Sequence, residues 1–309
     1  MSLFPPPQDI EAEVFASLPL DLRITDRTSA WVEANKPGLG ADSFLEGPSF
    51  DAAGNLYLVD IPYGRILRLA PDRTWSLVVE YDGWPNGLKF HRDGRAFIAD
   101  YRRGILALDL TSGALEEVFA SRASEGFKGC NDLFFADDGL LYFTDQGQTG
   151  MHDPTGRVYR ADLESRRLTQ LIGTGPSPNG LVMNLKQNLL YVAMTRGNAI
   201  WRLVLLPDGS VSKVGIFVQL SGGLSGPDGM ALDSQGNIFV AQAGMGCVWA
   251  FSPLGEPLWR IRCEAIGLTT TNLAFGGPDG RDLYITVSDA GVVARARLPH
   301  PGQALFGKP

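Results

Sequence analysis

The sequence predicts an all-β fold, namely a six-bladed β-propeller with four antiparallel strands per blade and a ring closed by the N-terminal strand. Three observations support this prediction. A polar residue recurs at intervals of 40, 45, 48, 49 and 44 residues. Short β-rich runs follow each recurrence, and Glu13-Val-Phe-Ala-Ser17 repeats the letters of Glu117-Val-Phe-Ala-Ser121. A period of about 40–50 residues with several short strands per unit is typical of propeller blades.

Each recurring polar residue is expected to begin the innermost strand of a blade. These residues are Glu46, Asn86, Asn131, Asn179, Asp228 and Asn272. The second β-rich runs are 55–59, 95–99, 141–144, 190–193, 237–241 and 283–286. The third are 65–69, 105–108, 157–160, 199–203, 247–251 and 292–296. The fourth are 75–79, 115–119, 168–172, 215–219 and 258–262. Four short strands separated by turn residues make one blade.

The sixth unit reaches the end of the chain before a fourth strand can form. The N-terminal run 13–17 is expected to supply that strand, which closes the ring and hides two sheet edges. A β-solenoid or a sandwich is the alternative, but units of this length are too long for a solenoid coil of three short strands. Since no internal linker interrupts the units, we expect one domain over residues 1–309.

Composition narrows the function classes. Hydrophobic residues make up 44% and charged residues 20% of the chain, as in ordinary globular proteins. A net charge of −7 without blocks of like charge argues against a nucleic-acid surface. The three cysteines (Cys130, Cys247 and Cys263) lack the spacing of a zinc site or a disulfide framework. Apolar runs are too short to span a membrane and no secretory signal opens the chain, so we expect a cytoplasmic protein.

The six recurring polar residues should converge on the channel axis near one mouth. Glu46 and Asp228 contribute carboxylates, and the four asparagines contribute amide oxygens, a donor set that suits a hard divalent cation, Ca²⁺ first. The competing interpretation is structural, because Asn-Gly and Asp-Gly are turn dipeptides; it is favoured for Asn86 and Asn272. Asp60, Asp100 and Asp145 recur at the end of second strands and are expected to be structural.

Four fragments in blade order resemble the gluconolactonase/regucalcin-like (senescence-marker-type) superfamily: Leu45-Glu-Gly-Pro-Ser-Phe50, Cys130-Asn-Asp-Leu-Phe134, Ser177-Pro-Asn-Gly-Leu181 and Gly226-Pro-Asp-Gly-Met230. The resemblance implies a six-bladed propeller with one divalent metal held by Glu46, Asn131, Asn179 and Asp228. The Gly-Cys-Asn-Asp segment is also similar to diisopropylfluorophosphatase. Ala231 and Ala274 replace side chains that would hold a second calcium there, which implies one metal here.

The sequence and the resemblance together predict a metal-dependent hydrolase that opens a small lactone, with the metal polarising the carbonyl and Asp228 acting as general base or nucleophile. Ca²⁺ is the expected ion, with Zn²⁺, Mn²⁺ and Mg²⁺ as alternatives. The expected partner is the small-molecule substrate, a cyclic ester. Cyclic esters that carry a carboxylate are among the candidates. The protein is expected to be a monomer or a weak homo-oligomer that binds no nucleic acid or membrane.

Substrate contacts are expected from loops at the same mouth. The predicted substrate-binding residues are Asn86, Trp84, Phe127, Lys128, Asp132, Tyr101 and Arg196. The glycine-rich segment 146–156 is the expected lid. The alternative functions are a phosphotriesterase of the diisopropylfluorophosphatase type and a non-catalytic calcium-binding propeller, since a fold does not fix a function.

Overall fold

A computed structural model describes residues 4–38 and 40–307. Its strands form six antiparallel sheets arranged as blades, which confirms the predicted six-bladed propeller. The innermost strands of successive blades contact one another in chain order, and the innermost strand of blade 6 contacts that of blade 1. The ring is therefore closed, and its axis is lined by six innermost strands.

The strands of each blade run in chain order from the axis outwards. Blade 1 contains Leu45–Phe50, Leu56–Asp60, Arg65–Leu69 and Trp75–Glu80. Blade 2 contains Pro85–Phe90, Ala96–Asp100, Gly104–Leu108 and Leu115–Phe119. Blade 3 contains Cys130–Phe135, Leu141–Asp145, Gly156–Asp162 and Arg167–Gly175. Blade 4 contains Pro178–Met183, Leu189–Met194, Ala199–Leu205 and Val211–Gln219. Blade 5 contains Gly226–Leu232, Ile238–Ala243, Cys247–Phe251 and Pro257–Arg262. Blade 6 contains Thr270–Gly276, Asp282–Val287 and Val292–Arg297.

The N-terminal region joins two blades. Glu13–Ser17 pairs antiparallel with Val292–Arg297 and is the fourth strand of blade 6, as expected. The preceding strand, Gln8–Glu11, was not anticipated from the sequence; it pairs parallel with Pro257–Arg262 and extends blade 5 to five strands. Since these strands cover the outer edges of neighbouring blades, the ring closure is reinforced by backbone hydrogen bonds on both sides.

The hydrophobic core lies between the blades. Second strands such as Leu56–Asp60 and Ala96–Asp100 are buried along their whole length, because a neighbouring blade covers each face of the sheet. Outer strands such as Trp75–Glu80 are only half-buried. This gradient explains why the second runs read as continuous apolar segments and the fourth runs carry charges.

The recurring aspartates at the ends of second strands have structural partners. Asp60 accepts a hydrogen bond from the Phe44 backbone amide at 2.7 Å and pairs with Arg65 at 2.5 Å. Asp145 accepts from the Gly129 amide at 2.8 Å and pairs with Arg157 at 2.6 Å. These contacts fix the loop that leads into the innermost strand, so they position the start of that strand.

Few elements lie outside the blades. They are the helix Ala30–Asn35, the 3-10 helices Leu20–Leu22, Ile61–Tyr63 and Thr195–Gly197, and the hairpin Ser121–Arg122 with Glu125–Gly126. Among the described residues, no helix has both the length and the apolar character needed to cross a membrane.

The C-terminal segment 301–307 covers the end of the channel opposite the polar residues. The Gln303 amide donates to Leu232 O at 3.0 Å, and Phe306 stacks on Phe135 with ring centroids 5.7 Å apart. Beneath the segment lies a largely apolar cavity of about 260 Å³, lined by innermost strands of all six blades. The open mouth is therefore the one at which the innermost strands begin.

Candidate active site at the channel mouth

A register irregularity occurs in every innermost strand at its recurring polar residue. The shifts fall between Glu46 and Ser49, Pro85 and Gly87, Cys130 and Leu133, Pro178 and Leu181, Pro227 and Met230, and Thr270 and Asn272. A β-bulge redirects a side chain and is common beside active sites. The six residues Glu46, Asn86, Asn131, Asn179, Asp228 and Asn272, termed the polar ring below, are thus placed by six local breaks in otherwise regular strands.

The glycine that follows four ring residues lies inside a strand, not in a turn. A Cβ atom on Gly47 would lie 2.7 Å from Asn86 O, and one on Gly180 would lie 2.4 Å from Asp228 O. At Gly229 the contact would be with Asn272 Oδ1, at 2.1 Å. A turn was the competing interpretation of these dipeptides. The structure gives the glycines another cause, because neighbouring innermost strands approach too closely for a side chain.

We expect Gly180→Ala to destabilise the protein by about 2–4 kcal/mol, because the Asp228 backbone must move to admit the methyl group. Gly215→Ala is the matched control: a Cβ there meets nothing within 4 Å, so its effect should stay within about 1 kcal/mol. Chemical denaturation of the two variants and wild type measures both. Equal stability of the two variants would contradict the close-packing explanation.

The open mouth holds a cavity of about 550 Å³ whose lining includes five members of the polar ring. Asn272 is the exception. It is buried and its amide nitrogen donates to Glu46 Oε2 at 2.9 Å and approaches Asp132 Oδ2 at 3.4 Å. Asn272 thus holds the carboxyl groups of Glu46 and Asp132 by hydrogen bonds from outside the cavity lining.

Three buried carboxyl groups converge here. Burial, and after it the charge of Asp132, raises the pKa of Glu46 to about 7, against the opposing hydrogen bond from the Gly47 amide. Burial also raises the pKa of Asp228 well above its usual value; Glu46 and Asp132 add to this, while the charge of Arg196 opposes it. The pKa of Asp132 is raised by burial and lowered by Lys89. Among the described residues, the positive charges that act on these three buried carboxyl groups are those of Lys89 and Arg196. Such a site favours the binding of an additional cation.

Two further ring amides, those of Asn131 and Asn179, line the cavity together with Glu46 and Asp228. Asn131 Nδ2 donates to Gln146 Oε1 at 2.8 Å, and Gln146 in turn donates to Ser177 Oγ at 2.9 Å, which fixes the orientation of the Asn131 amide. Asn179 Oδ1 is buried without a hydrogen-bond partner, one of two such side-chain atoms in the described part of the chain; the other is Asn198 Oδ1. A buried oxygen without a donor costs about 1–3 kcal/mol unless something else binds it.

The donor set fits a hard divalent cation. Two carboxylates and two amide oxygens match the preference of Ca²⁺ for oxygen ligands, and the charges of Glu46 and Asp228 balance a divalent ion. Over residues 4–38 and 40–307, no group of three or more His, Cys, Asp or Glu is placed to hold a metal. Any metal at the mouth therefore depends on the asparagines as well as on the acids.

The structure brings some predicted substrate-binding residues to the cavity and places others elsewhere. Asn86 and Arg196 line it. The remaining five do not line the cavity, and they have local partners. Trp84 packs on Tyr101, and Phe127 packs on Phe143 and Tyr159. Lys128 Nζ donates a hydrogen bond to Thr155 Oγ1 at 2.5 Å, and Asp132 Oδ1 lies 3.9 Å from Lys89 Nζ. The aromatic side chains of the predicted loops pack against other aromatic residues at the same blade and do not reach the cavity lining.

One wall of the cavity is formed by the helix Ala30–Asn35 and by the segment that leads into blade 1. The helix Ala30–Asn35 places Trp31 against Phe44, with ring centroids 4.9 Å apart, and both residues line the cavity. Of the expected lid 146–156, only Gln146 reaches the lining. The sequence signal for this helix is Ser29, an N-cap whose hydroxyl accepts a hydrogen bond from the Val32 amide at 3.2 Å.

The metal-free protein should lose stability as pH rises from about 5 to about 8. The pKa of Glu46 is about 7 in the folded state, compared with an ordinary value of 4.5. As the pH rises, the unfolded chain therefore loses this proton at a lower pH than the folded protein does, and the free energy of unfolding falls. The expected loss is on the order of 3 kcal/mol for Glu46, with Asp228 acting in the same direction. Urea denaturation in chelator at pH 5, 6, 7 and 8 measures it. Glu46→Gln should flatten the slope, and an unchanged slope would contradict the assignment.

Comparison with known proteins gives consistent matches. The SMP-30/Gluconolactonase/LRE-like region model matches residues 44–289. Lactonase drp35 of Staphylococcus aureus (strain MW2) is 30% identical over 273 residues, covering 84% of this chain and 82% of the relative. The calcium-binding protein regucalcin from Agrobacterium tumefaciens has a TM-score of 0.75 at 21% identity, covering 96% of this chain and 98% of its own. A gluconolactonase from Xanthomonas campestris has a TM-score of 0.73 at 22% identity, covering 96% and 99%. The two structures show the shared fold.

Proposed function

The chain belongs to the SMP-30/gluconolactonase/LRE-like family, and from that premise we propose that it is a divalent-metal-dependent lactonase acting at the channel mouth. The observation that carries the proposal is the mouth cavity itself. It collects Glu46, Asn131, Asn179 and Asp228, of which two are buried acids and one has a buried oxygen without a hydrogen-bond partner. Such a donor set has little use in a folded protein unless something cationic occupies it.

Glu46, Asn131, Asn179 and Asp228 would hold the metal, with Ca²⁺ preferred because every donor is an oxygen. When bound, a divalent ion supplies Lewis-acid polarisation of a carbonyl oxygen and stabilises negative charge that develops on it. The regucalcin structure, described as that of a calcium-binding protein, supports calcium as the first choice.

Asp228 is the proposed catalytic carboxylate. As general base, it would take a proton from a water whose oxygen forms the new bond to the lactone carbonyl carbon. As nucleophile, its own oxygen would attack that carbon and water would later release the acyl group. In either case the ring C–O bond breaks, the ring oxygen is protonated, and the product is a hydroxy acid. Asn131 and Asn179 would orient the substrate, and Asn86 and Arg196 would contact it.

The cavity walls would position the ring of the substrate. Trp31, Phe44 and Ile61 contribute apolar side chains to the cavity lining. Apolar walls exclude bulk water from the reacting ester and strengthen electrostatic interactions with it. We also propose that the enzyme acts in the cytoplasm; the three buried, unbridged cysteines support a reducing compartment.

The test is pH-stat hydrolysis of a panel of aldonolactones, aliphatic lactones and aromatic lactones, with and without chelator. Acid release that stops with chelator and returns with Ca²⁺ supports the metal-dependent lactonase. Faster cleavage of an organophosphate triester than of any lactone would favour the phosphotriesterase alternative instead. If metal binds but no ester is cleaved, the propeller is a calcium-binding protein and the proposal is wrong.

A further inference from the structure

Two cations line the mouth cavity from opposite sides. Arg196 lies in the 3-10 helix Thr195–Gly197 of blade 4 and is exposed. Lys36 follows the helix Ala30–Asn35, and its ammonium lies 5.2 Å from the centroid of the Phe44 ring before blade 1. In a ring of six, blades 1 and 4 face each other across the axis. The two positive charges therefore flank the space in which a substrate would lie.

Neither cation is paired with an acid at contact distance in the described part of the chain. Across residues 4–38 and 40–307, neither side chain forms a hydrogen bond or an ion pair, whereas other arginines such as Arg102 and Arg157 pair with nearby acids. Arg196 is next to the buried hydroxyl of Thr195, which donates to Pro227 O at 2.8 Å and ties this turn to the strand carrying Asp228. Arg196 is thus held at the mouth without a protein partner of its own.

The charges of the cavity lining favour an anionic ligand. Glu46 and Asp228 would be balanced by the proposed divalent ion. Asp289 is the remaining acid of the lining, and it accepts from the Leu268 and Thr269 amides at 3.3 Å each. Against its single negative charge stand Lys36 and Arg196, which leaves one excess positive charge. A ligand with one carboxylate would neutralise the cavity.

We infer that the substrate is a lactone that bears a carboxylate besides its ester, and that Arg196 binds this carboxylate. Lys36 adds a second positive charge that favours the anionic substrate over a neutral lactone. This inference rests on the proposed lactonase function. Guanidinium suits the task because its planar pair of N–H groups binds both oxygens of a carboxylate. The apolar surfaces of Phe44 and Leu268 would contact the ring of the same substrate.

The kinetic test uses two lactones with one ring, γ-butyrolactone and its γ-carboxylate. Wild type should have a kcat/KM at least about tenfold higher for the γ-carboxylate than for γ-butyrolactone. Arg196→Gln should lower this ratio of the two kcat/KM values about 10- to 100-fold, because it removes a charge-assisted hydrogen bond of about 1.5–3 kcal/mol. Arg196→Lys should retain part of the preference. Arg202→Gln, an exposed arginine on the same blade and outside the lining, is the control. Rising salt should lower kcat/KM for the charged lactone more than for the neutral one.

A binding test separates this inference from the lactonase proposal. Pyroglutamate and 2-pyrrolidinone are five-membered lactams, with and without a carboxylate, and their affinities can be measured by calorimetry with Ca²⁺ present. Wild type should bind pyroglutamate more tightly, and Arg196→Gln should remove most of the difference. That result supports the inference even if no lactone is hydrolysed. Equal affinities in wild type, or a preference unchanged in Arg196→Gln, would overturn it even if lactones are hydrolysed.

Discussion

Asp228→Asn is expected to lower kcat/KM for the best lactone by at least about 1,000-fold, the largest loss of any single substitution at the mouth. The amide is nearly isosteric but can neither accept a proton as a base nor attack as a nucleophile. It also removes one of the two negative charges available to a divalent ion. Steady-state hydrolysis in a pH-stat, at saturating Ca²⁺, measures the loss.

Stability distinguishes loss of chemistry from loss of fold. Because burial and neighbouring acids raise the pKa of Asp228 well above its usual value, its ionised form costs the folded state energy at pH 8. Metal-free Asp228→Asn should therefore be at least as stable as metal-free wild type at that pH. Asp208→Asn, in an exposed turn of blade 4, is the activity control. Retention of more than about a tenth of wild-type turnover by Asp228→Asn would remove Asp228 from the proposed role.

An isotope experiment on wild type tests for the nucleophilic role of Asp228. In single-turnover hydrolysis in H₂¹⁸O, a general base directs the label into the product carboxylate. A nucleophilic Asp228 instead forms an acyl-enzyme, and water that opens it at the aspartyl carbon leaves ¹⁸O in the protein. Mass spectrometry of the peptide containing Asp228 detects that label. Label in that peptide identifies Asp228 as the nucleophile, whereas label in the product alone is the result both of a general base and of an acyl-enzyme opened at the substrate carbon.

The repeat made the propeller predictable because every blade uses the same local pattern. The strands begin and end close to the predicted runs, and Glu13–Ser17 closes blade 6. The channel position of the polar ring followed from its repeat position. The local structure that places it there did not follow, because a β-bulge has no distinct sequence code. Turn dipeptides supported a structural interpretation that was favoured only for Asn86 and Asn272. At Gly180, by contrast, a side chain is excluded by the backbone of the next blade.

Parts of the site that do not repeat were harder to predict. The six-residue helix Ala30–Asn35 is too short to show an apolar period, and it is held by packing of buried Val32 and by Trp31 on Phe44. Phe127 is in the expected loop, but its ring packs edge-on against Phe143. An aromatic residue in a loop can point into a cavity or between blades, and only the tertiary packing decides which.

The asparagines provide a sharp test of which ring members bind metal. We expect Asn179→Ala to weaken Ca²⁺ binding by at least about tenfold, since even residues that only support metal ligands cost about 10- to 100-fold when removed. Asn86→Ala, which removes a ring amide of the same type at the same mouth, should leave Ca²⁺ affinity nearly unchanged. The readout is the Ca²⁺-dependent rise in thermal midpoint at pH 8, where bound ion stabilises the folded state by an amount set by its concentration relative to Kd.

The reason lies in the Asn179 oxygen. It is buried without a hydrogen-bond donor, so the metal-free protein gains nothing from this oxygen. Because the Asn179 amide also hydrogen-bonds Asp228, the Ca²⁺ response of each variant is measured as the rise above its own metal-free midpoint. Asn86 is only half-buried and its amide has access to water. If both variants lose the Ca²⁺ response equally, the whole ring binds the ion as a unit and the four-ligand assignment is wrong. If neither loses it, the ion binds elsewhere, and Asn179 must be satisfied by the substrate or by water.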